Sequence, residues 1–392
     1  MEPRTDAVAR NVGLVAAHQA VAFGYAVVPF LWFLVAERGL DLAGFAALQS
    51  VYYGTTLAAE LPTGLLADRI GRRPVLALAS ISQATGFAVL ARTTTFAGFA
   101  AAQVLLGLGQ AMLSGTVSAL LYDSLRAMRR ESEYLACESR AIVARLAGTS
   151  AAFLLGGALA KHASLAATAW ASLAWTALAL PIALAMREPR HVGAAPHPLA
   201  TLRGTIRDVA RSADLRWAAA LFAVLFVALR AAFHLYGPGF ERAGVRDYLS
   251  IGVVFAALNV VAAVSTRFAG RAAGAFGERR LLVGCLFALA ATFAALAGTS
   301  WTPLVLAIFF AQQVPFGLHF PVVASFVNHR AAADRRATTL SLFSLLGRAS
   351  FALVFPLIGA LAEARGLASA LAATAALVAL PAAVLLKRGL TP

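Results

Sequence analysis

Charge is scarce in this chain. Only 13% of its 392 residues are Asp, Glu, Lys or Arg, against about 25% in a soluble domain, while 60% are hydrophobic. No soluble core of this size needs so much apolar residue, so most of the chain is expected to face lipid or neighbouring helices. Cysteine is scarcer still. Cys137 and Cys285 each lie in or beside an apolar run, which excludes a disulfide framework and gives no metal-site spacing. Enzyme signatures are missing: there is no Walker loop, no dinucleotide fingerprint after a strand, no His-Glu-x-x-His and no Gly-x-Ser-x-Gly. An ATP-driven pump needs a soluble nucleotide domain, and no segment is long enough to form one. The expectation is therefore a non-enzyme without cofactor or metal.

What the chain has is long apolar runs. A membrane-spanning helix needs ~20 mostly apolar residues. Twelve such runs are predicted, near 11–36, 43–66, 74–91, 96–122, 140–160, 165–186, 217–237, 247–268, 280–298, 302–327, 337–361 and 367–386. The first is too long for a signal-peptide core and no clear cleavage pattern follows it. Pro29, Pro62, Pro315 and Pro356 fall inside spans, which bundled membrane helices tolerate because neighbours satisfy the freed backbone groups.

The net charge of +15 raises the question of nucleic acid, but the basic residues are scattered in short clusters between apolar spans. That pattern fits a membrane protein and argues against nucleic acid. With the N-terminus inside, Lys and Arg favour the cytoplasmic segments about four to one. Both termini are therefore expected in the cytoplasm, with the chain multi-pass in the cell's inner (plasma) membrane. Arg145, Arg230 and Arg348 fall within spans. Trp32, Trp217 and Trp301 lie near predicted span ends, where indole rings prefer to sit.

The longest non-apolar stretch, 187–216, carries Pro189, Pro196 and Pro198 and six arginines. It reads as a cytoplasmic linker between an N-terminal six-helix half, 1–186, and a C-terminal six-helix half, 217–392. Internal repetition agrees. Gly64-x3-Asp68-x2-Gly71 recurs 206 residues on as Gly270-x3-Gly274-x2-Gly277, again followed by basic residues, and FLLGGAL (153–159) resembles PLIGAL (356–361).

The stretch Gly64-Leu-Leu-Ala-Asp68-Arg69-Ile-Gly71-Arg72-Arg73 resembles the signature loop between the second and third helices of the major facilitator superfamily. With the span count, linker and repeat, the resemblance covers essentially the whole chain. It implies an all-α membrane protein with twelve transmembrane helices in two pseudo-symmetric six-helix halves. Physically, Gly64 allows close helix approach and Gly71 a tight turn. Asp68 can accept hydrogen bonds at a neighbouring helix N-terminus. The resemblance implies a conformational latch made of Gly64, Asp68, Gly71, Arg72, Arg73 and Asp123, with Arg72 pairing both Asp68 and Asp123. The alternative is that the arginines only set topology.

Further local features, Glu60-Leu-Pro62-Thr63, Ala-Leu-Leu-Tyr122-Asp123-Ser-Leu and Arg336-Ala-Thr-Thr-Leu-Ser, resemble a broad branch of efflux and multidrug transporters. There are departures. Gln103 stands where many proton-coupled members carry an arginine. The drug-antiporter Gly-Pro-x-x-Gly-Gly pattern reads Ala152-Phe153-Leu-Leu-Gly156-Gly157, and Gly274 replaces the acid in the repeat loop.

Charge inside a bilayer is costly and marks function. Glu60 is the one acid well inside a span, so it is the candidate proton carrier, or else a structural ion pair with Arg348 or Arg145. Arg230 and His234 share a helix face at i, i+4 and are candidates for an anionic substrate. The other cavity candidates are His18, Gln19, Gln110, Ser114, Asn259, Gln312, Gln313 and His319, each of which can equally be an interhelical hydrogen bond. Phe23, Phe30, Phe233 and Tyr236 are expected either as cavity aromatics or as packing. The expected activity is secondary transport of a small molecule by alternating access, first as proton-coupled efflux (an antiporter) of a partly apolar compound. Uptake or uniport of a small anionic nutrient is the alternative, and a non-transporting receptor or lipid handler is the alternative of another class. Expected partners are the substrate, protons and the lipid bilayer, with no nucleic acid and a monomeric state.

Overall fold

A computed structural model describes residues 3–189, 198–332 and 335–390. Among these residues there is no strand, and seventeen α-helices follow in order: α1 (Pro3–Ala22), α2 (Leu31–Glu37), α3 (Leu42–Ile70), α4 (Arg72–Arg92), α5 (Phe96–Leu113), α6 (Thr116–Ala127), α7 (Tyr134–His162), α8 (Leu165–Ala177), α9 (Ala179–Ala185), α10 (Pro198–Arg211), α11 (Ala213–Arg242), α12 (Tyr248–Arg267), α13 (Ala269–Phe276), α14 (Glu278–Ala297), α15 (Thr302–Arg330), α16 (Arg336–Arg365) and α17 (Leu367–Leu390). Helix is the form that satisfies every backbone group inside a single apolar segment. Ten helical stretches are long and apolar enough to cross a membrane. The broken segment α1–α2 and the long α3 complete the twelve spans.

Several spans are broken. After α1 the chain leaves the helix, and the Val27 N–H donates to Ser172 Oγ at 3.0 Å. The Trp175 indole donates to Ala20 O at 3.3 Å, so α8 supplies partners for backbone groups beside the break in α1. The fourth span divides at Ser114–Gly115, where Gly115 has φ +75°.

The helices form two compact units. The first comprises Met1–Leu40, Val51–Gly193 and Asp247–Ala257, and the second Asp41–Ser50, Ala194–Arg246 and Leu258–Pro392. In the first unit α4 packs along α5 and α8, and α1 along α7. Its core includes Val15, Leu76, Leu113, Leu120 and Leu125. In the second unit α14 packs along α17, and α11 along α16. Tyr236 lies 4.3 Å from Phe309, centroid to centroid, and Phe351 stacks on Phe355 at 4.7 Å.

The repeated glycine motif has a packing role. Gly157 of α7 takes the start of α12 against its backbone: a Cβ at Gly252 would meet Phe153 O at 2.7 Å. Gly359 of α16 does the same for the start of α3, where an added Cβ would meet Leu42 O at 2.9 Å. Small residues allow such close approach of helices in a bundle.

Of the 187–216 linker, 190–197, including Pro196, lie outside the described residues. Most of the rest of that stretch is helix α10. Thr205 and Val209 are buried on one face, α10 packs on α11 and α16, and Arg335 donates to Asp208 at 2.5 Å.

Candidate functional site

The loop between α3 and α4 is held by charge. Gly71, with φ +95°, turns the chain and opens α4. The backbone N–H groups of Arg72 and Arg73 donate to the two carboxylate oxygens of Glu188 at 2.9 and 2.8 Å. An anion at a helix N-terminus meets both unsatisfied donors and the positive end of the helix dipole. The Arg72 guanidinium pairs with Asp123 of α6, and the two side chains are only 15% and 24% exposed. Arg73 Nη2 donates to Leu184 O at 2.6 Å. Glu188 was not foreseen, because it is a lone acid 116 residues from Arg72 in sequence and only folding brings it there.

Two expectations for this loop are corrected. Asp68 is exposed and forms neither a hydrogen bond nor an ion pair with another described residue, Arg72 included. Gly64 is not a close-packing point: a Cβ there would meet no atom within 4 Å, because that face of α3 is exposed.

Deeper in the first unit, Glu60 is half-buried in α3 and accepts a hydrogen bond from Ser114 Oγ at 3.4 Å. Ser114 sits at the break between α5 and α6, one turn after Gln110, whose carbonyl accepts its N–H. Arg145 of α7 lies with its guanidinium 5.2 Å from the Phe23 ring centre. It makes no ion pair with a described residue, so the expected Glu60–Arg145 bridge is absent. Nearby, Gln83 Nε2 donates to the Tyr25 hydroxyl at 2.5 Å, and the Tyr25 ring lies 5.4 Å from that of Phe87. The sequence reading missed this pair, because Tyr25 lies in the break that follows α1.

His18 and Gln19 are buried in α1, and His18 shares a face with Asn11, Val15 and Ala22 at helical spacing. Among the described residues, both ring nitrogens of His18 and the Gln19 amide oxygen have no hydrogen-bond partner. Asn11 is tied to the end of α9: it donates to Arg187 O at 2.7 Å and accepts from Arg187 N at 2.9 Å.

The second unit gathers Arg230 and His234 on α11 and His319 on α15 among aromatic rings. Arg230 lies over Phe226 at 5.3 Å and Phe316 at 5.9 Å. It makes no ion pair or hydrogen bond with a described residue. His319 donates from Nδ1 to Phe316 O at 2.7 Å. His234 is ringed by Phe45, Phe351 and Phe355, the last two at 5.6 Å. Gln313 Nε2 donates to the Tyr236 hydroxyl at 2.8 Å, and Gln312 Nε2 to Thr292 Oγ1 at 3.1 Å. Phe30 and Tyr236 are almost fully buried and serve packing. Asn259 in α12 and Arg348 in α16 are half-buried; Arg348 belongs to the second unit, Glu60 to the first.

The comparisons agree with this architecture. The family model of the Major Facilitator Superfamily matches residues 14–265 and 246–392, so the chain belongs to the major facilitator superfamily. It is a multi-pass membrane protein with a transporter fold. A crystal structure of a mutant of the nucleoside transporter NupG aligns with a TM-score of 0.83 at 11% identity, covering 97% of this chain and 99% of that one. A bacterial homologue of the human lysosomal transporter Spinster, inward-facing and unoccupied, aligns with a TM-score of 0.75 at 15% identity, over 99% and 97% of the two chains. The human organic anion transporter MFSD10 (TETRAN) aligns with a TM-score of 0.63 at 20% identity, over 98% and 100%. At these identities the likeness is one of fold. No curated protein matches the sequence.

Proposed function

We propose that this protein exports a small organic anion with an apolar body, by alternating access, from the cell interior across the inner membrane. One observation carries the reading. Arg230 lies within a span, over two phenylalanine rings, and has no ion pair or hydrogen bond with a described residue. A guanidinium held in a bilayer without a counterion is expensive. An anionic ligand offsets that cost, and the flanking rings suit an apolar or aromatic body. That MFSD10 is an organic anion transporter is in keeping with this substrate class.

An inside-negative potential drives an anion outward, at about 2.3 kcal/mol per charge per 100 mV. Glu60, the acid in α3, is assigned the proton-carrying role, and protons entering as the anion leaves move charge in the same favourable direction. The Arg72–Asp123–Glu188 cluster is assigned the conformational latch. The anion reading narrows the expected partly apolar efflux substrate, because the charge at Arg230 inside its span is cationic.

The test is counterflow in proteoliposomes with a panel of aromatic carboxylates, sugars, nucleosides and cationic drugs. Carboxylates are expected to exchange in wild type. Exchange is expected to fall at least tenfold in Arg230→Gln, checked for folding. Exchange of neutral or cationic compounds alone, untouched by Arg230→Gln, would sink the proposal.

A further inference from the structure

The repeated loop is completed differently in its two copies. In the first, the Glu188 carboxylate lies on the opening turn of α4, and a Cβ at Gly71 would meet it at 3.0 Å. Gly277 stands 206 residues after Gly71 in the same motif position. It has φ +79°, and α14 opens from it with no side-chain cap. A Cβ there would meet no atom within 4 Å. Where the first copy has its carboxylate, the second has a cavity of about 470 Å³, lined among others by Gly277, Arg280, Arg330, Phe276, Trp217 and Leu386.

The charge around this cavity is uneven. Arg279 pairs with Asp214, and Arg330 with Asp214 and Glu278. Glu278 also accepts from Ser325 Oγ at 2.6 Å. Arg280 is exposed and has no ion pair or hydrogen bond with a described residue, which leaves one surplus positive charge at the mouth. The walls are apolar on the other side. Phe276 is 64% exposed, Leu386 is half-buried, and the Trp217 indole N–H is already committed to Leu385 O at 3.0 Å. The cavity lies where α14 begins and where α15 and α17 end, at the boundary of the spans.

We infer that this cavity binds the phosphate of an anionic phospholipid. The phosphate takes the position that the Glu188 carboxylate holds in the first copy. Arg280 supplies the opposite charge, and the acyl chains lie along Phe276 and Leu386. Basic pockets between membrane helices take lipid headgroups in this way. Free phosphate shares the headgroup chemistry but has no use for the apolar wall.

The test is native mass spectrometry of the full-length protein in detergent, titrated with phosphatidylglycerol and, separately, with inorganic phosphate. Wild type is expected to retain one phosphatidylglycerol. Arg280→Gln, an exposed change that leaves packing intact, is expected to weaken retention roughly fivefold. Leu386→Glu, which supplies an internal carboxylate, is expected to abolish it. Should Leu386→Glu fail to fold, Arg280→Gln decides alone. Unchanged retention in Arg280→Gln overturns the site. Displacement of the lipid by millimolar inorganic phosphate overturns the lipid assignment and makes the cavity a soluble-anion site. Neither outcome bears on the transported substrate.

Discussion

Glu188→Ala is a direct probe of how the α3–α4 loop is held. The substitution removes two hydrogen bonds, at 2.9 and 2.8 Å, from the first N–H groups of α4, together with a negative charge at the helix N-terminus. Loss of a capping side chain costs about 0.5–2 kcal/mol, and loss of the charge–dipole attraction about 0.3–1 kcal/mol. Glu188 is exposed, so the lower half of each range applies, and the sum is about 1–2 kcal/mol. A unit of about 200 residues shifts its Tm by roughly 2–4 °C per kcal/mol, so a fall of roughly 2–8 °C is expected. Cys137 and Cys285 are free and buried, which suits a thiol-reactive dye that reports unfolding. Glu188→Gln keeps one acceptor oxygen and is expected to lose about half as much. High salt is expected to shrink the difference between Gln and wild type, because the charge contribution is screened. An unchanged Tm in Glu188→Ala, or Gln as damaging as Ala, would refute the reasoning.

Three further outcomes follow from the packing. Gly252→Val drives a side chain into the Phe153 carbonyl, 2.7 Å from an ideal Cβ, and overpacking of this kind costs about 1–3 kcal/mol; dye-monitored melting is expected to show it, with Gly252→Ala milder. Tyr236→Phe removes the hydroxyl that accepts from Gln313 Nε2 in a buried site. It is expected to cost about 1–3 kcal/mol, part of which returns in the double variant with Gln313→Leu. The Ser250 hydroxyl at 2.5 Å, and then Lys161 at 3.0 Å, pull the Asp247 carboxyl down from 3.8 to about 2. A depressed carboxyl stabilises the fold above its unfolded pKa. The Tm difference between wild type and Asp247→Asn should therefore be full above about pH 5 and disappear as pH falls through about 2.

The fold was readable because its signals are long. Twelve apolar runs, basic loops and a loop motif repeated at an offset of 206 residues each recur often enough to outweigh local ambiguity. The span near 247–268 falls almost on α12 (Tyr248–Arg267). The break after α1 was not readable, because the group that satisfies it comes from elsewhere, as Ser172 does for Val27. Helix α10 was hidden by arginines and prolines, although Leu202, Thr205, Asp208 and Val209 give a helical period on one face. The site was half readable. Arg72 with Asp123 came from the motif, whereas Glu188 and the Tyr25–Gln83 pair arise from contacts that no spacing encodes.

Potential-driven efflux from proteoliposomes tests the central proposal, export of an organic anion, most directly. Vesicles are loaded with a labelled aromatic carboxylate, and valinomycin with a potassium gradient sets the inside about 100 mV negative. Efflux in wild type is expected to accelerate and to approach a gradient of about fifty-fold per net charge moved, with Arg230→Gln close to protein-free vesicles. Efflux that ignores the potential, or that Arg230→Gln carries as fast as wild type, would contradict the proposal.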